Sequence, residues 1–168
     1  MTSTADGVSW RAFLDASGAL GALVAERLAA SEHHVLATLH ADGSPRLNGT
    51  NVVLDGDDLL VGCMPGTRRG DDLRRDPRCA LHAGPDESTL PAGDARLECT
   101  AELLDAERTE RVFRRLSDDD GVARDGEPLE GDLFALRIRA ASTVQVDGEV
   151  LTVTMWSPDG GVRTVERT

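Results

Sequence analysis

The chain has 168 residues, with 30 acidic against 18 basic side chains and a formal net charge of -12. That length suits one domain spanning residues 1–168, able to bury roughly two thirds of its unfolded surface without a disulfide scaffold or a structural metal. The acidic balance argues against a general nucleic-acid or anionic-membrane binder, whose phosphate contacts need basic surface, and leaves room for a small phosphorylated ligand read locally.

Residues Met1 to about Ser9 are small and polar and read as a frayed terminus. From Ser17 to Ala30, Leu20, Leu23, Val24 and Leu28 recur on one helical face, weakened at the start by Gly18 and Gly21. His34 to His40 reads as a strand, Asp42-Gly43 as a hairpin turn, and Pro45 to Leu54 as the return strand. Asp55 to Asp58 turns into Leu59–Met64, so the opening strands form an antiparallel meander and exclude the strand–helix alternation of a dinucleotide-binding fold.

A short helix follows over Arg68 to Arg75, stopped by Asp76-Pro77, before Cys79 to His82 resumes strand character. Gly84 to Asp94 is expected to be an exposed loop and Arg96 to Leu104 another strand. Asp105 can cap a helix with an apolar stripe of Thr109, Val112, Phe113 and Leu116, and Glu107–Arg111 and Glu110–Arg114 make favourable pairs one turn apart. Asp118 to Gly131 reads as a solvated connection, and Leu133–Val146 and Glu149–Trp156, joined by Asp147-Gly148, as a final hairpin. Six or seven strands with two or three short helices suit a mainly β chain, a small barrel with helices at its periphery.

The stretch Met64-Pro65-Gly66-Thr67-Arg68-Arg69 carries the chemistry. Unpaired N–H groups and the helix dipole favour an anion at a helix N-terminus, and two arginines add full charge there. Every basic residue in the chain is arginine, a bias that fits a GC-rich coding sequence and lowers the weight of any single arginine run. Cys63, Cys79 and Cys99 lack the spacing of a zinc or redox motif and read as buried free thiols in a reducing cytosol. His33, His34, His40 and His82 have no metal-ligand spacing either. No apolar run approaches the roughly 20 residues of a membrane span, and no signal-peptide core is present, so the expected location is cytoplasmic.

The order of elements, with His34–Leu39, Asp42-Gly43-Ser44-Pro45, Leu60–Met64 and Thr67-Arg68-Arg69 leading to Asp72-Leu73-Arg74-Arg75-Asp76-Pro77, resembles the pyridoxamine 5′-phosphate oxidase-like superfamily. The resemblance covers about a third of the chain and extends faintly to Val153–Pro158. It implies a six-stranded antiparallel split β-barrel and a homodimer with flavin mononucleotide (FMN) at its interface. A related branch binds the 8-hydroxy-5-deazaflavin coenzyme, and other members bind haem or its breakdown intermediates.

Carried over residue by residue, the resemblance assigns Thr67, Arg68 and Arg69 to the cofactor phosphate, with Cys63 and Met64 on the preceding strand. Asn48, Gly49 and Thr50 would run along the ring and ribityl chain, and Trp156 would stand near the ring. Asn48 replaces an arginine of the vitamin-making oxidase, Arg69 stands where lysine is usual, and no counterpart of the residues that hold pyridoxal phosphate is found. A vitamin B6 substrate is therefore not expected.

Plainer roles remain open: a simple helix N-cap for Thr67, surface pairing of Arg68 and Arg69 with Asp71 and Asp72, and a core position for Trp156. Arg74, Arg75 and Arg78 suit the solvated C-terminal face of the helix, or an anionic cofactor tail. No residue reads as an obligatory acid, base or nucleophile. The expected activity is that of a flavin- or deazaflavin-dependent oxidoreductase acting on a small organic substrate, with a non-catalytic flavin- or haem-binding module as the alternative.

Overall fold

A computed structural model describes residues 6–84, 92–120 and 129–168. Helices α1 (Trp10–Ser17) and α2 (Ala19–Ala29) precede strands β1 (His34–Leu39), β2 (Pro45–Thr50), β3 (Val52–Asp55) and β4 (Asp58–Cys63). Helix α3 (Arg68–Arg75), strands β5 (Arg78–Ala83) and β6 (Ala95–Leu103), helix α4 (Ala106–Asp120) and strands β7 (Asp132–Asp147), β8 (Val150–Ser157) and β9 (Gly161–Arg167) complete the described chain.

All nine strands join one antiparallel sheet, ordered β2-β1-β5-β6-β7-β4-β3, with β8 on β7 and β9 on β8. The two ends of that path, β2 and β3, are consecutive in the chain and separated only by Asn51. The sheet must therefore curl until its ends meet at Asn51, where the covalent chain joins edges that no hydrogen-bonded ladder closes. This is a split β-barrel: β1, the interrupted return strand β2–β3, β4, β5, β6 and β7 make the expected circuit of six, and β8 and β9 branch from it at β7.

The alternation of β1 explains how the barrel fills: His34, Leu36 and Thr38 are buried, while Val35 on the opposite face is exposed. Phe13, Val24, Leu36, Leu81, Leu97, Phe134, Leu136 and Trp156 belong to the main core. Arg108 ties α4 to the β3–β4 turn through Asp55 at 2.8 Å and Asp58 at 2.9 Å.

Several expectations need correction. Residues 7–9 are not frayed: Val8 exchanges two backbone hydrogen bonds with Ile138, and the Ser9 hydroxyl caps α1. The helix expected over Ser17–Ala30 is present as α2, and an additional helix, α1, precedes it, set off by Gly18, whose φ of +55° breaks the ladder. The return strand Pro45 to Leu54 splits at Asn51, since β2 pairs with β1 whereas β3 pairs with β4.

Helix α4 continues through Asp120 into the expected connection, and residues 121–128 of that stretch lie outside the described ones, as do 85–91 of the expected loop before Asp94. The C-terminal hairpin gains a third strand, β9, paired with β8 from Leu151–Arg167 to Ser157–Gly161.

Candidate functional site

The turn from β4 into α3 is shaped by two glycines. Gly66 has a φ of +70°, a backbone conformation that costs other residues energy, and it swings the chain into the helix. Gly131, just before β7, passes so close to the Cys63 carbonyl that a side chain there would collide with it.

Thr67 is the N-cap of α3, with its hydroxyl accepting from the Gly70 N–H at 3.4 Å and donating to the Met64 carbonyl at 3.0 Å. The plain capping role is thus real, and it leaves the helix N-terminus facing outward beside Arg68.

Arg68 is exposed and has no hydrogen-bond or ion-pair partner among the described residues. Arg69 does not pair with Asp71 or Asp72. Its Nη1 donates to the Gly49 carbonyl at 2.9 Å and its Nη2 to the Gly62 carbonyl, so it clamps β2 to β4. A guanidinium has five N–H donors, and these two contacts leave three, with a positive charge that no carboxylate of the described chain neutralises.

Behind the clamp, Asp72 is buried and pins α3 to the sheet. It accepts from Arg46 of β2 at 2.6 Å, Thr38 of β1 at 3.0 Å and Arg75 of its own helix at 2.9 Å. Burial pushes this carboxyl up, but the bonds from Arg46, Arg75 and Thr38 outweigh it and hold the group at about 2. Arg74 meets Asp71 and Asp132, and Arg78 meets Asp76, so these arginines are already matched by carboxylates.

Asn48 shares a strand face with Arg46, the face turned toward α3, and its Nδ2 is buried without a hydrogen-bond partner. Thr50, on the same face, is buried and bonds locally to the Asn51 carbonyl. Cys63 is a buried free thiol, with burial raising its pKa against the opposing charge of Arg69. Met64 is 72% exposed at the turn.

The structure therefore gathers Asn48, Gly49, Cys63, Met64, Thr67, Arg68 and Arg69 around the β2–β4–α3 corner. Trp156 is not among them: it is 4% exposed in the main core, where its ring meets Phe13 edge-on at 5.0 Å. Sequence reasoning missed the Asp72 cluster, although a Thr, an Arg and an Asp on three separate elements give no local signal.

An orphaned buried amide, an unpaired arginine, a second one with spare donors and an outward helix N-terminus make a donor set suited to a phosphate. The residues present fit a phosphate-bearing cofactor.

A curled antiparallel sheet whose ends are joined by the chain at Asn51, with this corner at one end, defines the class of split β-barrels. The sequence matches the pyridoxamine 5′-phosphate oxidase family over residues 20–147, and the chain belongs to that family. No curated protein matches the sequence.

Among solved structures, ChuZ from Campylobacter jejuni is similar with a TM-score of 0.65 at 17% identity, covering 84% of this chain; the match spans 60% of the ChuZ chain, less than two thirds of its length. HutZ, the haem storage protein from Vibrio cholerae, matches with a TM-score of 0.57 at 20% identity over 71% of this chain and 90% of its own. An F420 reductase matches with a TM-score of 0.52 at 18% identity, covering 66% of this chain and 88% of that one. At these identities the likeness is one of fold. No helix among the described residues is long and apolar enough to cross a membrane.

Proposed function

We propose that the chain binds FMN with its phosphate at the N-terminus of α3 and acts as a flavin-dependent oxidoreductase on a small organic substrate. The observation that carries this reading is the pair Arg68 and Arg69, two cations without carboxylate partners at the capped start of a helix in a chain of net charge -12. Arg68, Arg69 and the orphaned Asn48 amide would hold the phosphate end. When bound, the flavin supplies the two-electron chemistry, and the protein orients it and excludes water.

The deazaflavin coenzyme is the natural comparison, since an F420 reductase shares the fold. Its acidic tail would need free cations beside the phosphate site, but Arg74, Arg75 and Arg78 are matched to Asp71, Asp72 and Asp76. That favours FMN. We extend the reading to a homodimer with the cofactor at its interface, as the family resemblance implies, and to a cytoplasmic location.

Titration of the cofactor-free protein with FMN, deazaflavin coenzyme and haem, followed by absorbance and fluorescence, tests the reading. Saturable FMN binding, retained by a dimer and released on dilution to monomer, is expected, with turnover of a reduced-cofactor substrate screen. Preferential haem binding without turnover would replace the enzyme by a binding module.

A further inference from the structure

On the helix-facing side of β7, β8 and β9 three threonines stand in one row, with Thr143 in register with Thr154 and Thr154 with Thr164. That side is identified by Trp156, two residues on from Thr154, whose ring meets Phe13 of α1. The row descends from exposed Thr164 through half-buried Thr154 to Thr143, which is wholly buried. The Thr154 and Thr164 hydroxyls lie 3.3 Å apart and bond one another, whereas Thr143 Oγ1 is buried without a hydrogen-bond partner. An unpaired hydroxyl is costly in a protein interior, so this orphan calls for a partner.

The row lines a cavity of about 290 Å³ between the sheet and the α1–α2 elbow, at the small end of ligand sites. Leu20 and Leu23 of α2 and Val162 of β9 supply its apolar wall. Ser17 stands at the elbow, with its hydroxyl already donating to the Phe13 carbonyl at 2.6 Å. No charged side chain is among the described residues that line it, so an ion entering there would lose its hydration unmatched.

We infer that this cavity binds a small uncharged ring carrying hydroxyl groups, a phenol or a diol. One ligand hydroxyl bonds Thr143 Oγ1, a second bonds the Thr154–Thr164 pair, and the ring packs on Leu20, Leu23 and Val162. Neighbouring strands stand about 4.8 Å apart, close to the oxygen separation of a meta-dihydroxy ring, which therefore spans two threonines of the row. A rigid ring holds that spacing at low entropic cost. The site uses none of the residues at the start of α3, so it stands or falls independently of the FMN reading.

The test titrates the full chain with resorcinol, a meta-diol, and with m-xylene, the same ring with methyls in place of hydroxyls, followed by protein-observed NMR. Resorcinol should bind saturably at one per chain, with shifts centred on Leu20, Leu23, Thr143 and Thr154. Thr143→Val should weaken resorcinol about fivefold or more and leave m-xylene unweakened, and Thr143→Ser should retain resorcinol binding. Because the hydroxyl removed has no partner in the fold, Thr143→Val should not lower the urea unfolding midpoint, which separates a ligand-binding role from a structural one. Absence of saturable resorcinol binding, equal loss of both probes in Thr143→Val, resorcinol binding indifferent to that change, or a lowered midpoint would each overturn the proposal.

Discussion

Asp72→Asn is the most informative single change in the framework of the cofactor corner, because the carboxylate ties α3 to β1 and β2 at once. The side chain is 4% exposed and accepts from Arg46, Arg75 and Thr38. These bonds, opposed by burial, hold it at about 2 against an ordinary 3.8. At about 1.4 kcal/mol for each tenfold change in proton affinity, that difference corresponds to about 2.5 kcal/mol at neutral pH. Arg75 is 41% exposed, so solvent screening brings the expected contribution to between about 1 and 2 kcal/mol.

The sign follows from the lowered folded-state value. The stabilisation is complete above about pH 4, falls to about half near pH 3 and is lost as pH drops through about 2. Urea unfolding of the native protein and of Asp72→Asn, read by tryptophan fluorescence at pH 7, 5 and 3, measures it directly. The variant should be less stable by about 1 to 2 kcal/mol at pH 7 and 5, with the gap about halved at pH 3. An unchanged midpoint at pH 7, or a gap equal at pH 3 and pH 7, would refute the assignment of Asp72 as the charged anchor of α3.

Arg68→Ala should weaken FMN binding about tenfold without altering the unfolding midpoint, whereas Arg69→Ala should lower both, since it also loses the carbonyl clamp between β2 and β4. Equal effects of the two on stability would contradict the division of roles. Burial pushes Cys79 up to about 12 and Cys99 well above its ordinary value, and it raises Cys63. A disulfide reagent at pH 8 should therefore release little thiolate product from the native protein and three equivalents after denaturation; fast native reaction would count against the buried placement. Phe13→Ala should destabilise by about 3 to 5 kcal/mol, because it empties a fully buried position against Trp156, and a loss below about 1 kcal/mol would show that α1 is not part of the core.

The corner was legible where chemistry is local. Thr67 before α3 and Asp76-Pro77 after it fixed both helix ends, and Asp42-Gly43 and Asp147-Gly148 marked real turns. Strand β9 escaped because Val162 and Val165 stand three apart, one on each face, and every residue of it is exposed, so no apolar face announces itself. Helix α1 carried a readable Ser9 cap and a Trp10–Phe13 stripe, yet the small polar residues ahead of it read as a frayed end.

Tertiary pairing was the other blind spot. The inward turn of Arg69 depends on two carbonyls, 20 and 7 residues away, and the Thr38–Arg46–Asp72 cluster exists only once β1, β2 and α3 are packed together. Trp156 carried two expectations, a place near the cofactor by family likeness and a plain core position, and its packing against Phe13 of α1 puts it in the core.

The claim that a phosphate is held at the start of α3 is tested most directly by comparing the affinities of FMN and riboflavin, which differ only by that group, for the cofactor-free protein. The account predicts that FMN binds at least about a hundredfold more tightly, as two charge-assisted contacts would give, and that Arg68→Ala narrows the gap. Equal affinity for the two flavins would contradict it.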